Sequence, residues 1–262
     1  MTTGSDPMLK RVQVLGVPVD DVTMTSALAW VDSKIGSRGR HAILAVNPEK
    51  VLKIRSSDKL RLLFSNASLL IPDGIGVVMA AHLLGLAKMG RVPGCELMPL
   101  ICEIAARRGT KVFVLGATAE TNDQAVAALK AKFPSLRVAG SQDGYTPESA
   151  MPALIERINV SGADILFVAL GSPRQELWME EHLPSLNVSL CQGIGGTLDV
   201  LAGHVTRAPA FFRRMNLEWA YRLASQPKRL LRQTALPRFA AMVLSAWMRR
   251  VLSRAPKQEL PT

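Results

Sequence analysis

The chain has 262 residues, 48% apolar and 20% charged, with three cysteines and a formal net charge of +11. A mean hydropathy of +0.17 excludes disorder throughout, and three cysteines with no CxxC exclude a disulfide framework and suit a reducing cytosol. No apolar run reaches the ~18 residues of a membrane span, and none follows Lys10-Arg11, so neither a span nor a signal peptide is expected.

In chain order the hydrophobic pattern predicts strand 12–19, helix 24–35, strand 42–46, helices 48–56 and 59–66, and strand 69–71. Helices 76–86 and 98–108 follow, then strand 111–115, helix 121–133, strand 136–139 and helix 149–161. Strand 165–170, helix 173–182, strand 188–192 and helix 197–202 complete the series. Strands alternating with helices at this spacing predict an α/β fold with an open, mostly parallel sheet. Ligands of such sheets bind outside the carboxyl ends of the strands. Four segments are expected on that edge: Asn47-Pro48-Glu49, Pro72-Asp73-Gly74-Ile75-Gly76, Gly171-Ser172-Pro173-Arg174-Gln175-Glu176 and Gly193-Ile194-Gly195-Gly196-Thr197.

Each segment carries a chemical option beside a plainer structural one. Gly193, Gly195 and Gly196 let the backbone approach a phosphate or diphosphate, although a tight turn alone would also call for glycine. Asp73, after a strand and before glycine, suits a general base for a hydroxyl nucleophile, and equally a helix N-cap. Gln175 has hydrogen bonds to offer a sugar or base, and Arg174 and Arg91 suit an anion. Singly, each is explained as well by a place on the surface. His41, His82, His182 and His204 lack metal-ligand spacing, and Asp20-Asp21 reads as a loop before a helix, so no metal is expected. Neither GxGxxG nor a Walker A, GxSxG or Cys-His signature is present, which counts against a dehydrogenase or hydrolase.

Charge divides the chain at about residue 206. Residues 1–206 carry 20 Lys+Arg and 19 Asp+Glu, whereas residues 207–262 carry 12 Lys+Arg with only Glu218 and Glu259. Residues 1–206 are therefore expected to form the α/β core and 207–262 a basic, amphipathic helical appendage. Phe211, Phe212, Trp219 and Tyr221 stand among its arginines, and an apolar run fills 239–248. Arginine mixed with Trp, Phe and Leu suits an anionic membrane surface better than a nucleic-acid groove, and no RNA-binding motif is present. No nucleic-acid partner is expected, and docking of 239–248 on the body or on another subunit is the structural alternative.

Together these segments resemble the WecG/TagA/CpsF glycosyltransferases, glycosyltransferase family 26. The resemblance runs from about Val12 to about Arg232. It rests on the order of Asn47-Pro48-Glu49, Pro72-Asp73-Gly74-Ile75-Gly76, Arg91-Val92-Pro93-Gly94, Val114-Leu115-Gly116 and Gly144-Tyr145. After these come Ala169 to Glu176, Gly193-Ile194-Gly195-Gly196 with Asp199, Arg207-Ala208-Pro209 and Leu217 to Leu223. The resemblance implies a Rossmann-like fold and an inverting hexosyltransferase that uses a UDP-sugar, and with the residue spacing above neither cofactor nor metal is expected. The sugar, N-acetylmannosamine, its uronic acid, glucuronic acid or a relative, would pass to a polyprenyl-diphosphate-linked glycan. The setting would be the cytoplasmic membrane face, in cell-surface polysaccharide synthesis.

By position, the resemblance makes Asp73 the general base and places Asn47, Arg91 and Gln175 around the substrates. It sets Gly193, Gly195 and Gly196 against the nucleotide, and brings Arg207, Arg222 and Arg229 of the tail to the diphosphate. Ala45 departs from a threonine frequent in the family, which puts the donor sugar in question. A non-catalytic, nucleotide- or polyanion-binding partner of a polysaccharide assembly complex is the alternative, and oligomerisation stays open.

Overall fold

The computed structural model describes residues 9–206, 208, 209, 211, 212, 215, 221 and 234–254. Arg207, Arg222 and Arg229, proposed above to meet a diphosphate, lie outside the described residues. The chain opens with an antiparallel hairpin, β1 (Arg11–Val14) and β2 (Val17–Asp20). The sequence pattern had predicted one strand over 12–19. It is broken by a two-residue turn in which Leu15 (φ 54°) and Gly16 (φ 80°) both take positive φ, the geometry that suits a tight hairpin. Asp20, expected in a loop, is instead the last residue of β2 and fully buried.

Helix α1 (Met24–Lys34) starts at a capping box, with Thr23 and Ser26 exchanging side-chain and backbone hydrogen bonds. The main sheet and its helices follow: β3 (His41–Val46), α2 (Pro48–Arg55), α3 (Asp58–Asn66), β4 (Leu69–Pro72), α4 (Ile75–Leu83) and α5 (Gly94–Arg108). Next come β5 (Lys111–Gly116), α6 (Ala119–Lys132), β6 (Arg137–Gln142), α7 (Met151–Ser161), β7 (Ile165–Ala169), α8 (Arg174–His182), β8 (Leu190–Gly193) and α9 (Thr197–Leu201). The six strands are all parallel, in the order β4-β3-β8-β7-β5-β6. The expected α/β architecture is the one observed.

Two apolar clusters cover the sheet. One face buries Val51 and Ile54 of α2, Val77 and Ala81 of α4, Leu154 of α7 and Trp178 of α8. The other buries Trp30 of α1, Leu97 and Ile101 of α5, Leu129 of α6 and Leu198 of α9. Consecutive residues of each strand feed opposite faces, so β3, β4 and β7 read as nearly continuous apolar runs, as parallel strands covered on both sides do. Helix α8, leaving β7, and α9, leaving β8, depart to opposite faces. That divergence opens a crevice at the carboxyl end of β8, where such sheets take their ligands.

A last helix, α10 (Ala235–Arg254), lies against α2 and α4. Phe239 and Val243 are buried in the first cluster, and Arg250 donates to the Leu84 carbonyl at the end of α4. The apolar run at 239–248 is thus part of a longer helix that docks on the body, in keeping with the structural alternative. Leu244, Trp247, Met248 and Val251 remain exposed on it. No helix among the described residues is long and apolar enough to cross a membrane.

Candidate active site

All four post-strand segments reach the same edge of the sheet, because β3, β4, β7 and β8 are parallel. Asn47 caps α2: it sits in extended backbone, its Oδ1 accepts from Lys50 N at 2.9 Å, and Pro48 follows as the first helical residue. The turn after β4 lies directly on this cap. A Cβ on Gly74 would stand 2.7 Å from Pro48 Cδ, and one on Gly76 2.9 Å from Pro48 Cγ. Glycine at both positions is what lets Asp73 and Asn47 share one floor.

Asp73 is held from three sides. Its N–H donates to Val46 O (3.0 Å), its Oδ1 accepts from Gly94 N (3.0 Å), and its carbonyl accepts from Arg91 Nε (3.1 Å). The capping alternative is therefore half right and differently placed. Gly74 caps α4 without a side-chain bond, whereas the Asp73 carboxylate serves the first N–H of α5, whose own cap residue is Pro93. The positive end of a fifteen-residue helix thus faces the carboxylate. Asp73, Asn47 and Arg91 are all partly exposed, so a substrate can reach them.

Across the crevice the picture differs. Gln175 is 2% exposed and fully engaged: Oε1 accepts from Gly195 N at 3.0 Å, and Nε2 donates to Glu176 Oε1 at 3.1 Å. Its amide holds the loop at 193–196 instead of projecting into the crevice, so its link to substrate runs through that loop. Gly193 ends β8 with its Cα against this amide, since a Cβ there would stand 2.9 Å from Gln175 Nε2. Gly195 takes φ 55°. Gly196 is exposed and Gly195 partly so. Arg174 donates to the Gly144 carbonyl at 2.6 Å, which fixes the Gly144-Tyr145 turn beside the same edge.

Sequence reasoning passed over three buried groups. Glu176 is completely buried and pairs with Lys50 Nζ at 2.7 Å. Gln192, also buried, reaches toward the Gly94 carbonyl from β8, at 3.5 Å. A helical period places Gln175, Glu176 and Met179 on the inner side of α8, and that spacing was a usable signal for Glu176. Ala45 is buried in the second cluster, paired with Ile71 of β4.

Other chemistries find less support. Among the described residues no three His, Cys, Asp or Glu side chains cluster as a metal site would need. Burial pushes the Cys102 thiol up to about 12, and Cys191 is raised further by burial, so neither serves as a thiolate nucleophile near neutral pH. A cavity of about 280 Å³, lined by Leu15, Arg55, Met242 and Arg249, lies at the far end of α2 from Asn47. It is separate from the edge described here.

Against this geometry, the model of the glycosyl transferase WecG/TagA/CpsF family matches residues 12–253. The match extends beyond the sequence motifs and takes in nearly all of α10. The chain belongs to that family, and it is a glycosyltransferase.

Proposed function

We propose that this family member is an inverting glycosyltransferase that moves a sugar from a UDP-sugar to a polyprenyl-diphosphate-linked glycan. N-acetylmannosamine, N-acetylmannosaminuronic acid and glucuronic acid are the donor sugars in view. The observation that carries the reading is the anchored carboxylate of Asp73. It stands at the end of β4, beside Asn47, about two strand spacings (~10 Å) from the glycine loop that ends β8. That separation suits an acceptor hydroxyl at one end and a nucleoside diphosphate at the other.

In this reading Asp73 takes the proton of the acceptor hydroxyl as that oxygen bonds to the anomeric carbon. The bond from that carbon to the UDP oxygen breaks on the opposite face, which inverts the centre. Asn47 and Arg91 orient the substrates around Asp73, and Gln175 acts through the loop it holds. Gly193, Gly195 and Gly196 allow the diphosphate close to the backbone, and Arg207, Arg222 and Arg229 supply positive charge as the leaving group gains negative charge. No metal or cofactor enters the scheme. The lipid-linked acceptor implies work at the cytoplasmic face of a membrane. Support comes from the exposed Leu244, Trp247, Met248 and Val251 of α10, with Met79 and Leu83 of α4, near a strongly basic stretch of sequence.

The test is UDP release from a panel of UDP-sugars with a short polyprenyl-diphosphate-GlcNAc acceptor, comparing the unaltered protein with Asp73→Asn. Asparagine keeps the oxygen that accepts from Gly94 N, so the fold is retained while turnover falls by ~10²–10⁴. Near-normal turnover in the variant would reduce Asp73 to a cap for α5. Absence of release from every donor, with UDP still bound, would favour the non-catalytic partner.

A further inference from the structure

We infer that Lys50 and Glu176 are positioning residues: their buried ion pair sets which way the Gln175 amide points, and through it the course of the loop at 193–196. The consequence for donor binding rests on the function proposed above, while the positioning itself does not.

Glu176 Oε1 is shared. It accepts from Lys50 Nζ at 2.7 Å and from Gln175 Nε2 at 3.1 Å. At its other end the Gln175 amide accepts from Gly195 N. An ionised carboxylate can only accept, so the end of Gln175 that meets it must be the NH2 group. The end that meets Gly195 is then necessarily the oxygen. Turned over, Gln175 would set oxygen against carboxylate and NH2 against the Gly195 N–H, losing both bonds. Lys50 makes the arrangement sustainable by compensating a charge with no exposure to solvent. Lys50 also belongs to the turn of α2 that Asn47 caps. The pair therefore ties the turn after β3 to the turn after β7, and from there to the loop after β8.

Stability alone is a poor reason for this construction. Buried ion pairs are often replaced by apolar pairs at no cost, and Glu176 Oε2 has no hydrogen-bond partner among the described residues. A carboxylate placed only for folding would be expected to use both oxygens.

The test uses full-length Lys50→Met/Glu176→Gln, which removes both charges at similar volume. The new amide at 176 presents donor or acceptor equally, so it no longer dictates the orientation of Gln175. Hydrogen exchange at Gly195 is expected to speed up by about tenfold or more, while amides of β5 and β7 keep their protection. Lys50→Arg, which keeps the cation, is expected to restore the unaltered rate at Gly195. In turnover, KM for the donor is expected to rise with kcat largely kept. Unchanged exchange at Gly195 in the double variant would overturn the inference. So would a uniform loss of protection through β5 and β7, which would mark the pair as a general stabiliser. If Gly195 responds as expected but UDP does not bind even the unaltered protein, the positioning stands and the donor-site reading fails.

Discussion

Two buried carboxylates, each with a basic partner, are used differently in this molecule. Asp20 accepts from Arg11 Nε (2.7 Å) and Nη2 (3.0 Å) and from Leu70 N (2.8 Å), so both its oxygens are engaged. Leu70 lies in β4, the edge strand of the main sheet, so Asp20 satisfies an edge N–H and bolts the hairpin to the sheet. Arg11 continues the seam with bonds to the carbonyls of Ser65 and Ala67. Glu176 also has a single cation, but it loads one oxygen with two donors and leaves the other unpartnered among the described residues. The first pair is complete and lies on the outer edge of β4, two strands from β8. The second is incomplete and touches the turns that form the crevice. Asp20 serves the seam between hairpin and sheet, and in the inference above Glu176 serves the geometry of its neighbours.

Substitutions can break this distinction. The largest effect on stability is expected from Asp20→Ala, which orphans the buried Leu70 N–H and removes the counter-charge of the partly exposed Arg11. A loss of about 2–4 kcal/mol is expected in denaturant titration. UDP affinity of the folded fraction should be unchanged. A sharper contrast comes from matched apolar replacements. Arg11→Met/Asp20→Leu still orphans Leu70 N and should cost about 1–3 kcal/mol. Lys50→Met/Glu176→Leu also orphans one buried donor group, the NH2 of Gln175, but it removes the more deeply buried ion pair of the two, and that relief should hold the net cost to about 1 kcal/mol or less, measured the same way. Equal losses in the two doubles would erase the distinction. The smallest effect concerns the thiols of Cys102 and Cys191, buried and held protonated. Alkylation at neutral pH should leave both unlabelled in the native protein and in Lys50→Met/Glu176→Gln, yet label them measurably in Asp20→Ala, where global opening is more frequent.

The sheet was legible because its strands are apolar on both faces and alternate with periodic helices, a local signal. The hairpin was misjudged because its turn depends on Leu15 taking positive φ, which nothing local requires of leucine. Asp73 was found from its place after β4, but its partner, Gly94 N, lies at the start of a different helix, and only packing could bring them together. Gln175 was found as a residue type, but its bond to Gly195 N, twenty residues on, was not foreseen, because only the packing of α8 beside the end of β8 makes it. Asp20 was misread as a loop residue because its pairing with Arg11 depends on the hairpin that the pattern missed. Lys50 and Glu176 were passed over because 126 residues separate them, so no i,i+4 spacing advertises the pair.

The docking of α10 also bears on how the molecule is made. Phe239 packs near Gly76, at the start of α4, although most of the chain lies between them. As a ribosome extends the chain at roughly 5–20 residues per second, α4 is complete many seconds before α10 exists. During that interval the side of α4 that α10 will cover stays open to any other hydrophobic surface. Synthesis that stalls before residue 239 would release a sheet whose strands are all present and whose faces are covered, but whose α2 and α4 lack their outer partner, a product suited to chaperone capture and to early degradation.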